Sequence, residues 1–149
     1  MESIDSQFQK TVRELQLKFT RYYAKSLSEH HLSVSQFALV SLVYHGGEAP
    51  MSSLAKRLMI SLPAVTHLVD RLERDKFIKR ASHPTDRRVT LIRITKKGEK
   101  AVYETQGRIQ KLFMKTLHAF EPKERYVVQD FYVRFSGELE KQLHEVGKP

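Results

Sequence analysis

Ser61, Pro63, Ala64, Thr66, His67 and Arg71 fall within eleven residues, and Asp86-Arg87-Arg88 follows fifteen residues after Arg71. None of these groups is arranged for bond breaking. There is no Gly-rich phosphate loop, no nucleophile elbow and no carboxylate pair placed by a recognisable motif, so an enzyme is not expected. What the set offers is hydrogen bonding and positive charge: hydroxyls, an imidazole and guanidinium groups. Those are the groups that hold phosphates and read the edges of bases.

The local sequence positions them in two pieces. Ser61 can cap a helix by accepting a backbone N–H bond, and Pro63 falls in the first turn, where a missing N–H does little harm. Val65, Leu68, Val69 and Leu72 repeat at spacings of three, one and three, so they share one helix face. Thr66, His67, Asp70, Arg71 and Arg74 take the other face. An extended run, residues 77–82, follows, then the turn-forming tip His83-Pro84-Thr85-Asp86-Arg87-Arg88, then a second extended run, residues 89–94. In that second run Ile92 and Ile94 are expected to point inward. Such a helix fits a DNA major groove, and the hairpin tip fits the neighbouring minor groove.

Charge falls in the same place. The chain carries a net +9. Residues 54–100 hold 13 Lys or Arg against 5 Asp or Glu, a net of +8, which leaves only +1 for the rest. A basic middle between near-neutral flanks is the expected footprint of a phosphate-binding surface. Taken alone it also suits a solvated basic face. Lys79, Arg80, Lys96 and Lys97 are expected to add nonspecific attraction.

The flanking sequence is helical. Ile4, Phe8, Val12, Leu15, Phe19, Tyr22 and Leu27 recur mostly at three and four, which predicts a long amphipathic helix over 4–29. Ser33 or Ser35 starts a second helix that Gly46-Gly47 stops. Ser52 or Ser53 opens a short third helix, and the turn Met59-Ile60-Ser61 joins it to the helix above as a helix-turn-helix. Thr95 caps a helix predicted to run to about residue 119, with Gly98 and Gly107 as weak points. A break at Glu121-Pro122 restarts the chain as a last helix with Val127, Phe131, Phe135, Leu139 and Leu143 on one stripe.

Composition narrows the rest. The 149 residues suit one domain with a real core. There is no cysteine, which removes disulfides, thiolate metal sites and thiol chemistry. No run of about 18 apolar residues is present, and MESIDSQFQK does not read as a secretory signal, so no membrane association and a cytoplasmic location are expected.

The chain resembles the MarR family of bacterial transcription regulators over nearly its whole length. The resemblance is carried by Leu54-Ala55, then Ser61, then VTHLVDRLE (65–73), HPTDRR (83–88) and LIRITKKG (91–98). It implies a mainly α fold with a small β-hairpin: a winged helix-turn-helix lobe plus N- and C-terminal helices that form a dimerisation region. On that plan 1–149 is a single domain. Residues 4–32 and 121–146 are dimerisation helices, 34–94 the winged helix-turn-helix with recognition helix 61–75 and wing 77–94, and 95–120 a connecting helix. The partners implied are a double-stranded DNA operator and a second copy of the chain.

On the first exposed turns of the recognition helix Pro63 and Ala64 are expected to make close apolar contacts, a thymine methyl being one such partner, while Thr66 and His67 are expected to hydrogen-bond to base edges or phosphates. Arg71 and Arg74 are each expected to reach phosphate or to pair with Asp70, Asp75 or Glu73. Arg87 enters the minor groove. Asp86 orients an arginine or fixes the tip, and Arg88 either contacts phosphate or pairs back toward the body of the protein. Two departures matter. Leu62 stands where the family usually has a polar or basic residue, and His67 stands where Arg is common. Many members release DNA on binding a small aromatic or anionic effector, and the resemblance places such a molecule near Tyr22, Ser41 and Tyr44. Glu29-His30-His31, with His45 and His118, offers metal-ligand types, but no metal-binding spacing is present and neither metal nor cofactor is expected.

The reading is a dimeric DNA-binding regulator, a repressor of a pseudo-palindromic operator. Two rivals remain open from the residues alone: a basic helical protein that binds an acidic protein partner, and a nonspecific DNA-architectural protein.

Overall fold

The computed structural model describes residues 3–86 and 88–146, apart from the side chains of residues 144 and 146. It divides into two compact units, one ending at Arg108 and the other beginning at Ile109. The division falls inside the stretch expected to be one connecting helix.

The first unit starts with α1 (Ile4–Glu29), capped by Ser3, whose side chain accepts from Ser6 N at 3.2 Å. Only Ser26 and Leu27 of α1 are buried. His31 takes a left-handed turn (φ 55°), and Leu32 N bonds back to Leu27 O at 3.0 Å. Helix α2 (Val34–Gly46) follows. Of the two possible starts Ser33 is the one used, because Gln36 returns the bond: Gln36 N donates to Ser33 Oγ, and Ser33 N donates to Gln36 Oε1 at 2.8 Å. Phe37, Leu39, Val40 and Val43 make α2 the centre of the core.

Helix α3 (Met51–Leu58) starts directly after Pro50 with no side-chain cap, so Ser52 and Ser53, expected to open it, lie inside its first turn. It ends where Met59 adopts φ 54°, and Ser61 then caps α4 (Leu62–Arg74) by accepting from Ala64 N at 3.3 Å. Val65, Val69 and Leu72 are fully buried and pin the rear of α4 to the core.

The wing differs in one respect from a bare hairpin. Strands β2 (Ile78–Ser82) and β3 (Thr90–Ile94) pair antiparallel, with Arg80 opposite Ile92. A two-residue strand, β1 (Ala49–Pro50), adds on the other side of β3 to give the order β1-β3-β2. β3 is therefore the middle strand. Ile92 is fully buried and Ile94 packs partly against the core, as expected. Leu91, on the opposite face of β3 from the two residues expected inward, is buried as well. It sits opposite Pro50 on one side and Ala81 on the other.

Thr95 caps α5 (Lys96–Val102) by accepting from Gly98 N at 3.2 Å. The helix expected to run unbroken to about residue 119 is interrupted by a π-helical turn at Tyr103–Gly107. Thr105, fully buried in that turn, shares a 2.8 Å hydrogen bond with Ser26 of α1, so the widened turn brings a polar group to α1. The second unit comprises α6 (Arg108–His118), which begins at the last residue of the first unit, and α7 (Pro122–Val146). No helix of the described residues is long and apolar enough to cross a membrane.

Candidate nucleic-acid interface

The face of α4 opposite its buried rear is open. Ser61, Leu62, Pro63, His67, Asp70, Arg71 and Arg74 are exposed, and Ala64 and Thr66 are half-buried. The side chains singled out in the sequence at 61–71 thus lie together on one helix. Thr66 Oγ1 donates to Leu62 O at 3.0 Å, which commits its hydroxyl proton within the helix. Ala64, His67, Leu68 and Arg71 line a groove with Ser35 of α2 and Ile60 of the turn. Arg74 pairs with the adjacent Asp75 at 3.2 Å, while Arg71 carries no ion pair to Asp70 or Glu73.

The carboxylates of α4 go to a residue the sequence did not single out for them. Arg80, on β2, donates to Asp70 Oδ1 at 2.6 Å and to Glu73 Oε2, and its backbone N–H donates to Glu73 Oε1 at 3.0 Å. The hydrogen bond that Arg80 donates to Asp70, ahead of the one it donates to Glu73, holds its guanidinium above the ordinary pKa, against an opposing effect of burial. One guanidinium thus fastens the wing to the helix. It also offsets one of the two negative charges that Asp70 and Glu73 place on this helix.

The far end of α4 has its own anchor. Lys97 Nζ donates to Asp75 O at 2.8 Å and sits 4.3 Å from the centre of the Phe77 ring. Thr95 Oγ1 lies within bonding distance of Lys76 O (2.6 Å) and Phe77 O (3.0 Å), both beside the chain reversal at Lys76 (φ 63°). Thr95 and Lys97 therefore satisfy carbonyls that the end of α4 leaves free. Their roles are positional, where the sequence suggested only loose attraction for Lys97.

At the wing tip Asp86 organises the turn. Its backbone carbonyl accepts from Val89 N at 3.0 Å, and its side chain accepts from Arg88 N at 3.0 Å. Arg88 does not turn back to the body of the protein. Its side chain is 96% exposed and its ion pair, at 3.6 Å, is with Asp86. Arg87 lies outside the described residues.

The residues set aside for an effector are already bonded. Tyr22 donates to Glu104 O at 3.0 Å, and Ser41 donates to Gln106 Oε1 at 3.1 Å. Tyr44 is partly exposed and meets the His45 ring edge-on at 4.9 Å, and His45 Nε2 is 2.9 Å from the same Gln106 oxygen. The π-helical turn supplies both partners, Glu104 and Gln106. His30 lies 3.3 Å from Glu104. Among the described residues no three His, Asp or Glu side chains gather as a metal-ligand set.

A capped helix with a buried rear and an open basic face, joined through a tight turn to a shorter helix and followed by a small sheet, defines a winged helix-turn-helix protein. Known proteins agree. The sequence pattern of the MarR family matches residues 32–90. The HTH-type transcriptional regulator MhqR of Bacillus subtilis (strain 168) is 36% identical over 74 residues, 50% of this chain and 51% of that protein, so the match spans about half the length of that relative. Among solved structures, RV1404 from Mycobacterium tuberculosis superposes with a TM-score of 0.71 at 24% identity, over 92% of this chain and 94% of that one. A mutant of S. aureus MepR bound to an oligodeoxyribonucleotide does so with a TM-score of 0.66 at 19% identity, over 89% and 97%. Over residues 32–90 the chain is similar to the MarR family.

Proposed function

We propose that this protein is a DNA-binding transcriptional regulator without enzymatic activity, acting in the cytoplasm as a homodimeric repressor of a pseudo-palindromic operator. The observation that carries the reading is the open face of α4, clear of the core and flanked by a wing that its own Arg80 ties in place. The DNA in the MepR complex fits the same reading. In a dimer the two recognition helices would enter successive major grooves about 34 Å apart. Arg87 at each wing tip would reach the flanking minor groove, where narrow A·T-rich DNA concentrates negative potential.

Support for the second copy comes from apolar surface. Val127, Phe131, Phe135, Leu139 and Leu143 of α7, and Ile4, Phe8 and Leu15 of α1, are exposed in the single chain. Each helix by itself leaves more large apolar side chains in water than a soluble monomer commonly does. A small aromatic or anionic effector near Tyr22, Ser41 and Tyr44 would have to exchange the bonds to Glu104 and Gln106. To empty the operator it needs a preference of a few kcal/mol for a dimer whose lobes no longer match the DNA.

The test is a DNase footprint on the DNA upstream of the protein's own gene at two salt concentrations. A protected, roughly palindromic stretch that persists at higher salt is the expected result. Uniform coverage that fades steeply with salt would leave only the basic surface and favour an architectural protein. Arg87→Ala should weaken operator binding by about 1–3 kcal/mol without dissociating the dimer, and unchanged affinity would remove the minor-groove role.

A further inference from the structure

We infer that the first turns of the recognition helix, chiefly through Leu62, read thymine by its methyl group. The operator core facing α4 is then rich in thymine and is recognised by apolar contact in the major groove. This rests on the DNA-binding reading above and specifies the base chemistry of that site.

The first two turns of α4, ahead of Arg71, lack the side chains that grip a purine. Ser61 to Leu68 includes no Arg, Lys, Asn or Gln. Those are the side chains that grip guanine or adenine through two hydrogen bonds at once. Cytosine is read by a carboxylate that accepts from its amino group. The two carboxylates of α4, Asp70 and Glu73, are both engaged by Arg80. Ser61 and His67 keep a donor each, enough for one bond but not for a bidentate pair.

What these turns do present is hydrocarbon. Leu62 is 49% exposed, in the first turn of a helix whose core positions are filled by Val65, Val69 and Leu72. Pro63 is exposed beside it, and Ala64 opens into the groove shared with Ile60 and Leu68. Thr66 has committed its hydroxyl proton to Leu62 O, which leaves an acceptor lone pair and a methyl group for any neighbour. The base group that matches such a surface is the thymine C5-methyl, which lies in the major groove.

The experiment starts from duplexes selected by the full-length protein out of a randomised library. The selected duplex is then made with deoxyuridine in place of thymine across the half-sites. This removes only the methyls and leaves the minor-groove edges seen by the wing unchanged. Fluorescence anisotropy should show affinity falling about fourfold per contacted methyl. Leu62→Ala, a change at a half-exposed position, should melt like the wild type and bind the thymine and uracil duplexes alike. Equal binding of both duplexes by the wild-type protein overturns the inference, as does a uracil penalty that Leu62→Ala leaves intact. A selected core without thymine does the same. Enrichment of no sequence at all would instead bring down the proposal of sequence-specific binding on which the inference stands.

Discussion

Arg80 shows how one side chain can serve both stability and charge balance. With its partners half-exposed, its bonds to Asp70 and Glu73 are worth less than a buried cluster would be. Arg80→Gln should therefore lower unfolding stability by only about 1–2 kcal/mol, measured by urea denaturation. On the proposed function, its effect on DNA binding should be larger than that loss implies, because two carboxylates are released onto the face proposed to meet phosphates. Adding Asp70→Asn and Glu73→Gln should restore part of the affinity in a DNA titration without restoring stability. Affinity that stays low after both changes would mean the wing position, and not the freed charge, is what Arg80 controls. His67 and Arg71 were legible in the sequence because helical periodicity puts them opposite Val65, Val69 and Leu72. The partner of Asp70 was not, because Arg80 reaches it only after the chain has reversed at Lys76.

Among the elements, the junction of α4, β2 and α5 leaves no room for a side chain at Gly98. A Cβ at Gly98 would lie 2.3 Å from Phe77 O and 2.7 Å from Ile94 Cγ1. The first is backbone and cannot swing aside, so the start of α5 would have to move. Gly98→Ala should cost about 1–3 kcal/mol, read as a fall in thermal midpoint. Gly46→Ala is the control. Its Cβ would meet the tip of Arg57, the flexible end of an exposed side chain, and should be close to neutral. A Gly98→Ala protein as stable as the wild type would mean that α5 is not wedged against β2. The Thr-Lys-Lys-Gly run was recognisable as a motif, and Thr95 as a cap. That Lys97 reaches back 22 residues to Asp75 is a product of packing, with no local signal to announce it.

For the molecule as a whole the question is what covers α7. Phe135 is 56% exposed in the single chain and stacks on Phe131 with ring centres 6.1 Å apart. In an isolated chain an aspartate there would cost little. On the dimer reading it would place an unpaired charge in an apolar interface. Phe135→Asp should then raise the dimer dissociation constant by roughly 100-fold or more, measured by sedimentation equilibrium. A wild-type-like dimer from this variant would mean that the exposed stripe of α7 faces some other way in the assembly.

The sequence by itself determined most of the helices, the caps at Ser33, Ser61 and Thr95, the helix-turn-helix and the crowding of positive charge into residues 54–100. Those properties depend on groups a few residues apart: a serine three positions before an N–H, apolar residues every three or four, like charges in one stretch. Only the tertiary structure decided the third strand at Ala49–Pro50, the burial of Leu91, the π-helical turn that meets α1, and the Arg80 clamp. Each of these joins segments far apart or separated by a chain reversal. Their energy comes from satisfying a polar group or filling a space that exists only once the two segments have met.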